Sequence, residues 1–129
     1  MLPPAASDLV NRKPVWLTLS ALFLDTEQTP AMRGADAQRL ARSPYTLEDL
    51  RAILAEEVHP ACVFNLLSPA GEWAGFDEDW LEQRILARSR AVLRWPTRFS
   101  PLQSAIRDQA AALFARVEEI RRAGANRNA

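Results

Sequence analysis

The most sustained apolar stretch of the chain, Val15 to Leu24, puts Val15, Leu19 and Leu22 on one helical stripe that Trp16 and Phe23 widen. Leu17, Ala21 and Leu24 populate another side. A helix this apolar all round belongs at the centre of a domain. Pro14 suits a first helical position, so the helix is expected to start near Pro14 and to run to about Asp25. Thr29 followed by Pro30 signals a second start, and the polar, Ala-rich segment to Arg42 reads as a weaker helix, with Gly34 costing it about 1 kcal/mol relative to Ala. Ser43-Pro44 ends it.

Thr46 is a good N-cap with Asp49 at the third helical position, the arrangement of a capping box. Leu47, Leu50, Ile53, Leu54 and Val58 then follow at helical spacing. Pro60 must interrupt or kink that helix, because it has no amide donor and its ring crowds the preceding turn. Ser68 to Phe76 carries Pro69, Gly71 and Gly75 and forms the longest irregular connection. Asp77 is expected to cap a further helix whose first turn holds Glu78 and Asp79, with Leu81, Ile85, Val92 and Trp95 as its core side and Pro96 as its stop. Ser100-Pro101 opens the last helix, where Leu102, Ile106, Leu113, Val117 and Ile120 make the clearest stripe in the chain before Gly124 stops it. No alternating strand pattern and no internal repeat is present.

These elements predict an all-α fold, a compact bundle of five to six helices in a single domain. The Val15–Leu24 helix would be central, with the last helix packed along it. Residues 1–11 read as a flexible N-terminal tail, 12–124 as the helical domain and 125–129 as a flexible C-terminal tail. With 129 residues, 48% of them hydrophobic, the chain can bury a sizeable core without metal or disulfide. Cys62 is the only cysteine, which agrees with a reducing compartment. Met1 to Ala6 lacks a basic segment leading into an apolar run, and Val15–Leu24 is too short to span a bilayer. A cytoplasmic location is expected.

Net charge is zero, yet its parts are unlike. From Ser43 to Glu82 nine acids face Arg51 alone, whereas from Gln83 onward ten arginines face Asp108, Glu118 and Glu119. Such asymmetry shapes encounters with charged partners more than it shapes the fold. Catalytic patterns are missing: there is no nucleophile elbow, and His59 and Cys62 lie three apart across Pro60 as ordinary helix-end and core residues. Two soft ligands alone do not make a structural zinc site. No cofactor is expected and an enzyme is not.

The loop Gly71-Glu72-Trp73-Ala74-Gly75-Phe76, followed by Asp77 and Trp80, is the most unusual segment. Phe76 and Trp80 suit the core. Trp73, set between glycines and beside acids, suits either of two places, the core with the other aromatics or an exposed position as a binding anchor. Pro14-Val15-Trp16, Leu19-Ser20, Leu22-Phe23-Leu24-Asp25-Thr26-Glu27, Ser43-Pro44-Tyr45, Leu47-Glu48, Asn65-Leu66-Leu67-Ser68, Gly71 to Asp77 and Trp80-Leu81 together resemble an uncharacterised family of short bacterial proteins carrying a domain of unknown function. The resemblance covers about residues 12 to 95, leaves the last helix outside, and implies no activity.

The expected function is therefore binding. The first reading is a small protein that neutralises a protein partner, such as an immunity protein or antitoxin of a bacterial toxin system, through Glu72, Trp73, Asp77, Glu78 and Asp79. Its partner would be a cationic toxin. A second reading is a nucleic-acid-binding or regulatory adaptor using the Arg-rich helix, with Arg84, Arg88, Arg90, Arg94 and Arg98 on phosphates, although the acids opening that helix oppose it. A third is a metal-dependent enzyme in which Asp25, Glu27, Glu72 and Asp77 converge on a hard cation.

Overall fold

The computed structural model describes residues 2–23, 29–62, 78–90 and 103–127, with side chains in the last two segments described for 78–87 and 106–125. A 3-10 turn at Ala5–Ser7 leads into α1 (Leu9–Ser20), which tightens into a second 3-10 turn at Ala21–Phe23. Then come α2 (Pro30–Ala41), α3 (Leu47–Ile53), a π-helical turn (Leu54–Val58), α4 (His59–Cys62), α5 (Glu78–Arg90) and α6 (Gln103–Arg127). No strand occurs among the described residues, and the expected all-α bundle is what the chain forms.

The N-caps obey the local chemistry. Thr29 accepts from the Met32 amide at 3.1 Å at the head of α2, with Pro30 in the first helical position. Thr46 and Asp49 form the reciprocal capping box of α3, the Asp49 amide reaching the Thr46 hydroxyl at 3.0 Å and the Thr46 amide reaching the Asp49 carboxylate at 3.2 Å. Two otherwise orphaned donors are satisfied at once. Thr46→Ala is expected to lower stability by about 1 kcal/mol, measured by urea unfolding, and a change within error of zero would mean that solvent caps the helix as well.

Pro14 is not where α1 begins. The helix starts at Leu9 and runs through Pro14, so the Val10 carbonyl loses the bond that residue 14 would have donated. That loss falls on the outward face, where Val10 and Pro14 are both exposed and water can replace it. Pro60 has the expected disruptive effect in a specific form. Just before it the backbone widens to the π register, with the His59 amide donating to the Leu54 carbonyl five residues back, and the helix then continues through Pro60 to Cys62. Inserting a π turn relieves the clash without ending the helix.

The core is built from the stripes. Val15, Trp16, Leu19, Leu22 and Phe23 of the first segment meet Leu40, Leu50, Ile53, Val58, Leu81, Ile85, Leu113 and Val117, all buried. The α1 helix touches α2, α5 and the π turn, as a central element should. The α6 helix differs from expectation on two points. It lies chiefly along α2 and meets the first segment mainly at the Ala21–Phe23 turn, and it continues past Gly124 to Arg127. Arg121 explains the pairing with α2: its guanidinium donates to the carbonyls of Leu40, Ala41, Ser43 and Tyr45 at 3.2, 3.3, 3.4 and 2.6 Å. One side chain from α6 thereby caps the carbonyl end of α2 and pins the loop to α3. No helix among the described residues is long and apolar enough to cross a membrane.

Candidate functional site

Of the acids expected at a partner surface, Glu78 and Asp79 stand exposed in the first turn of α5, where the helix dipole favours them. Glu72, Trp73 and Asp77 lie outside the described residues, as do Asp25 and Glu27 of the metal reading. No group of three or more His, Cys, Asp or Glu side chains among the described residues is arranged to hold a metal ion. Lys13 of α1 reaches across to α5, its ammonium 3.2 Å from Glu82 and 3.9 Å from Glu78. The hydrogen bond to Glu82, helped by the field of Glu78 and Asp79, raises the Lys13 pKa above its ordinary value. The acidic turn of α5 is thus docked beside α1 by the only lysine in the chain.

Of the Arg-rich helix, Arg84 is exposed and places its guanidinium 5.5 Å from the centre of the Trp80 ring. The side chains of Arg88 and Arg90, and the whole of Arg94 and Arg98, lie outside the described residues.

A second polar constellation escaped the sequence reading. Arg12 is 2% exposed and donates from Nε and Nη2 to the two Glu57 carboxylate oxygens, both at 2.9 Å, and from Nη1 to Asp8 at 3.0 Å. The Trp16 indole donates to the same Glu57 carboxylate at 2.7 Å, and the Tyr45 hydroxyl donates to Asp8. The Arg12 guanidinium also lies 5.7 Å from the Tyr45 ring centre. Helical spacing sets this up: Asp8, Arg12 and Trp16 recur every fourth residue along α1, and the π turn rotates Glu57 towards them. Desolvation alone would lower the Arg12 pKa, but the Glu57 and Asp8 bonds outweigh it and hold the cation firmly charged. The Tyr45 hydrogen bond is the main cause that keeps the Asp8 carboxyl below its ordinary range, while burial first and that same bond second push the Tyr45 phenol up to about 12. The one signal available in sequence is the four-residue spacing of Asp8, Arg12 and Trp16. The members bind one another. Such a cluster fixes the register of α1, the π turn and the loop before α3, and its carboxylates are committed to that task.

His59 and Cys62 are buried core residues, as expected. The His59 ring meets Phe23 edge-on, with centroids 5.5 Å apart. Burial pushes the Cys62 thiol up to about 12, against a smaller opposing effect of Arg84, so at neutral pH it is a protonated, unreactive thiol.

On the α2 side of α1 runs a shallow groove lined by Val10, Asn11, Pro14, Thr18, Arg39 and Arg42 among others. Val10 is 89% exposed at its rim and Leu17 40% exposed one turn beyond Pro14. These apolar side chains face outward from a helix whose opposite face is the centre of the core.

No curated protein and no solved structure matches the chain. A family model, described as Domain of unknown function (DUF7079), matches residues 10–121, which takes in α1 from Val10, the Arg12–Glu57 pair and α6 as far as Arg121. The extent is wider than the stretch of family-like strings in the sequence, because α6 is included. By that match the chain belongs to the DUF7079 family, a domain of unknown function.

Proposed function

We propose that this is a cytoplasmic binding protein that neutralises a protein partner, in the manner of an immunity protein or antitoxin of a bacterial toxin system. The observation that carries the reading is the exposed acidic turn of Glu78 and Asp79, within a stretch where nine acids face one arginine. Toxins that act on nucleic acid present cationic surfaces, and a compact acidic face associates with them quickly and covers them. Two further features fit. The half-buried carboxylates of Asp8 and Glu57 are engaged by Arg12, Trp16 and Tyr45, and the one thiol is buried and protonated. Chemistry is spent on holding the fold, which leaves the surface for recognition.

The test is kinetic. The protein captured from the native host by the tagged chain is purified and its binding measured by surface plasmon resonance at two ionic strengths. Glu78→Lys with Asp79→Lys should slow association by about tenfold and flatten its salt dependence, as expected for rim charges. Trp73→Ala should instead speed dissociation, a buried aromatic anchor being worth about 2 kcal/mol or more. Parent-like kinetics in both variants, with circular dichroism unchanged, would place the partner surface elsewhere.

A further inference from the structure

The outward face of α1 has a pattern that the core does not use. Val10, Pro14, Leu17 and Ala21 are spaced four, three and four residues apart, which is the spacing of a coiled-coil seam. Val10 and Leu17 are 89% and 40% exposed, Pro14 is exposed and Ala21 is half-buried. A single apolar residue on a surface needs no explanation, but a seam at helical spacing on one face does.

The two flanks of this seam carry opposite charge. On a helix turning about 100° per residue, Lys13 lies to one side of the line through Val10 and Leu17, and Asn11 and Thr18 lie to the other. The Lys13 side faces the acidic turn of α5, since Lys13 Nζ contacts Glu82 and Glu78, with Asp79 next to them. One lysine there contacts two acids and lies in the field of a third. The Asn11 and Thr18 side faces Arg39 and Arg42 across the groove. Arg39 is paired with Asp36 at 2.9 Å, and Arg42 is exposed. Neither is needed to cap α2, because Arg121 already occupies its last carbonyls.

We infer that this face is the interface of a parallel homodimer, in which α1 packs against α1 of a second copy about a twofold axis running along the helices. The charge pattern selects both the occupant and the direction. Turning a copy about an axis parallel to α1 exchanges the flanks, so the acidic turn of each protomer meets Arg39 and Arg42 of its partner at the same height along the helix. An antiparallel pair would set acids against acids. A parallel pair also stacks Val10, Pro14 and Leu17 on their own counterparts, as identical seam positions do in parallel coiled coils. Zero net charge puts no overall repulsion in the way. The seam is shorter than two full heptads, so the dimer is a reversible one. The inference goes beyond the partner reading, because it needs no second protein.

Sedimentation velocity over a range of micromolar concentrations tests it on the chain as it is. The parent should show a monomer–dimer equilibrium that weakens with salt. Leu17→Glu should weaken the dimer by at least about tenfold, the effect of burying a charge in an apolar seam. Arg42→Glu alone, and Glu78→Lys with Asp79→Lys alone, should each weaken it as well. An equimolar mixture of those two variants should restore dimer, because every flank contact is then between opposite charges. Circular dichroism on each variant checks the fold. A parent that stays monomeric throughout, a dimer indifferent to Leu17→Glu, or a mixture that fails to restore association would overturn the parallel dimer. The partner reading would stand or fall separately on the association kinetics of its own complex.

Discussion

Arg12→Ala is expected to cost about 3–5 kcal/mol of folding stability, a large share of what a domain of this size has. The side chain is 2% exposed, and its loss strands two carboxylates, Glu57 and Asp8, that are themselves only 15% and 13% exposed. The cost comes from those carboxylates, left charged without their cation, more than from the ion pairs themselves, since a half-buried charge that loses its counter-ion is poorly compensated. Trp16 and Tyr45 still donate to them, which keeps the loss within this range. Removing the Arg12–Glu57 ion pair as a unit should behave differently. Arg12→Met combined with Glu57→Leu replaces charge by apolar volume and should cost less than Arg12→Ala alone. Urea unfolding of the two singles and the double gives the coupling energy, expected to be several kcal/mol in magnitude. If Arg12→Ala costs under about 1 kcal/mol, the cluster is well hydrated and does not fix the register of α1 against the π turn.

How much of this was legible in sequence depends on whether the governing interaction is local. The capping box at Thr46 and Asp49, the Thr29 cap and the stripe Ile106, Leu113, Val117 need only residues within a few positions of one another, and they were read correctly. Pro14 misled because a proline inside a helix costs less where the freed carbonyl faces water, and whether it does is a tertiary fact. Gly124 misled for a related reason. Glycine permits a left-handed stop without requiring one, and an ordinary helical turn carries α6 through it. The Arg12–Glu57 pair joins residues 45 apart, and the Arg121 cap of α2 spans about 80. No periodicity encodes such distances. At the candidate site the acidic bias around Glu78 and Asp79 was visible in composition. Their docking beside α1 through Lys13, and the bipolar flanks of the Val10–Leu17 seam, depend on which helices become neighbours.

Alkali should unfold this protein more steeply than its composition suggests. Apart from arginine, which keeps its charge, the side chains that titrate above pH 8 are one cysteine, one tyrosine and one lysine. Cys62 has an ordinary value of 9.0 and is pushed up to about 12 by burial, and Tyr45 goes from 10.0 to about 12, by burial and then by its bond to Asp8. In both cases the folded state favours the protonated form. Each contribution is therefore complete below the unfolded value, pH 9 for the thiol and 10 for the phenol, and is lost as pH rises through about 12. Lys13 acts in the same direction, with its value raised by Glu82, but it sits partly in solvent and adds little. Together the thiol and the phenol should remove about 4 kcal/mol between pH 8 and pH 11. The measurement is the unfolding free energy in urea at a series of pH values. Cys62→Ala should start lower, because it opens a cavity, but fall less steeply from pH 9 onward, and Tyr45→Phe should flatten the curve above pH 10. At pH 8 the folded thiol should also resist a disulfide reagent that modifies it at once in urea, the thiolate being the reactive form. A parent whose stability at pH 11 is within about 1 kcal/mol of that at pH 8, or a Cys62→Ala variant with the parent's slope, would show that the interior admits water to these groups and that the packing around α4 is looser than its geometry implies.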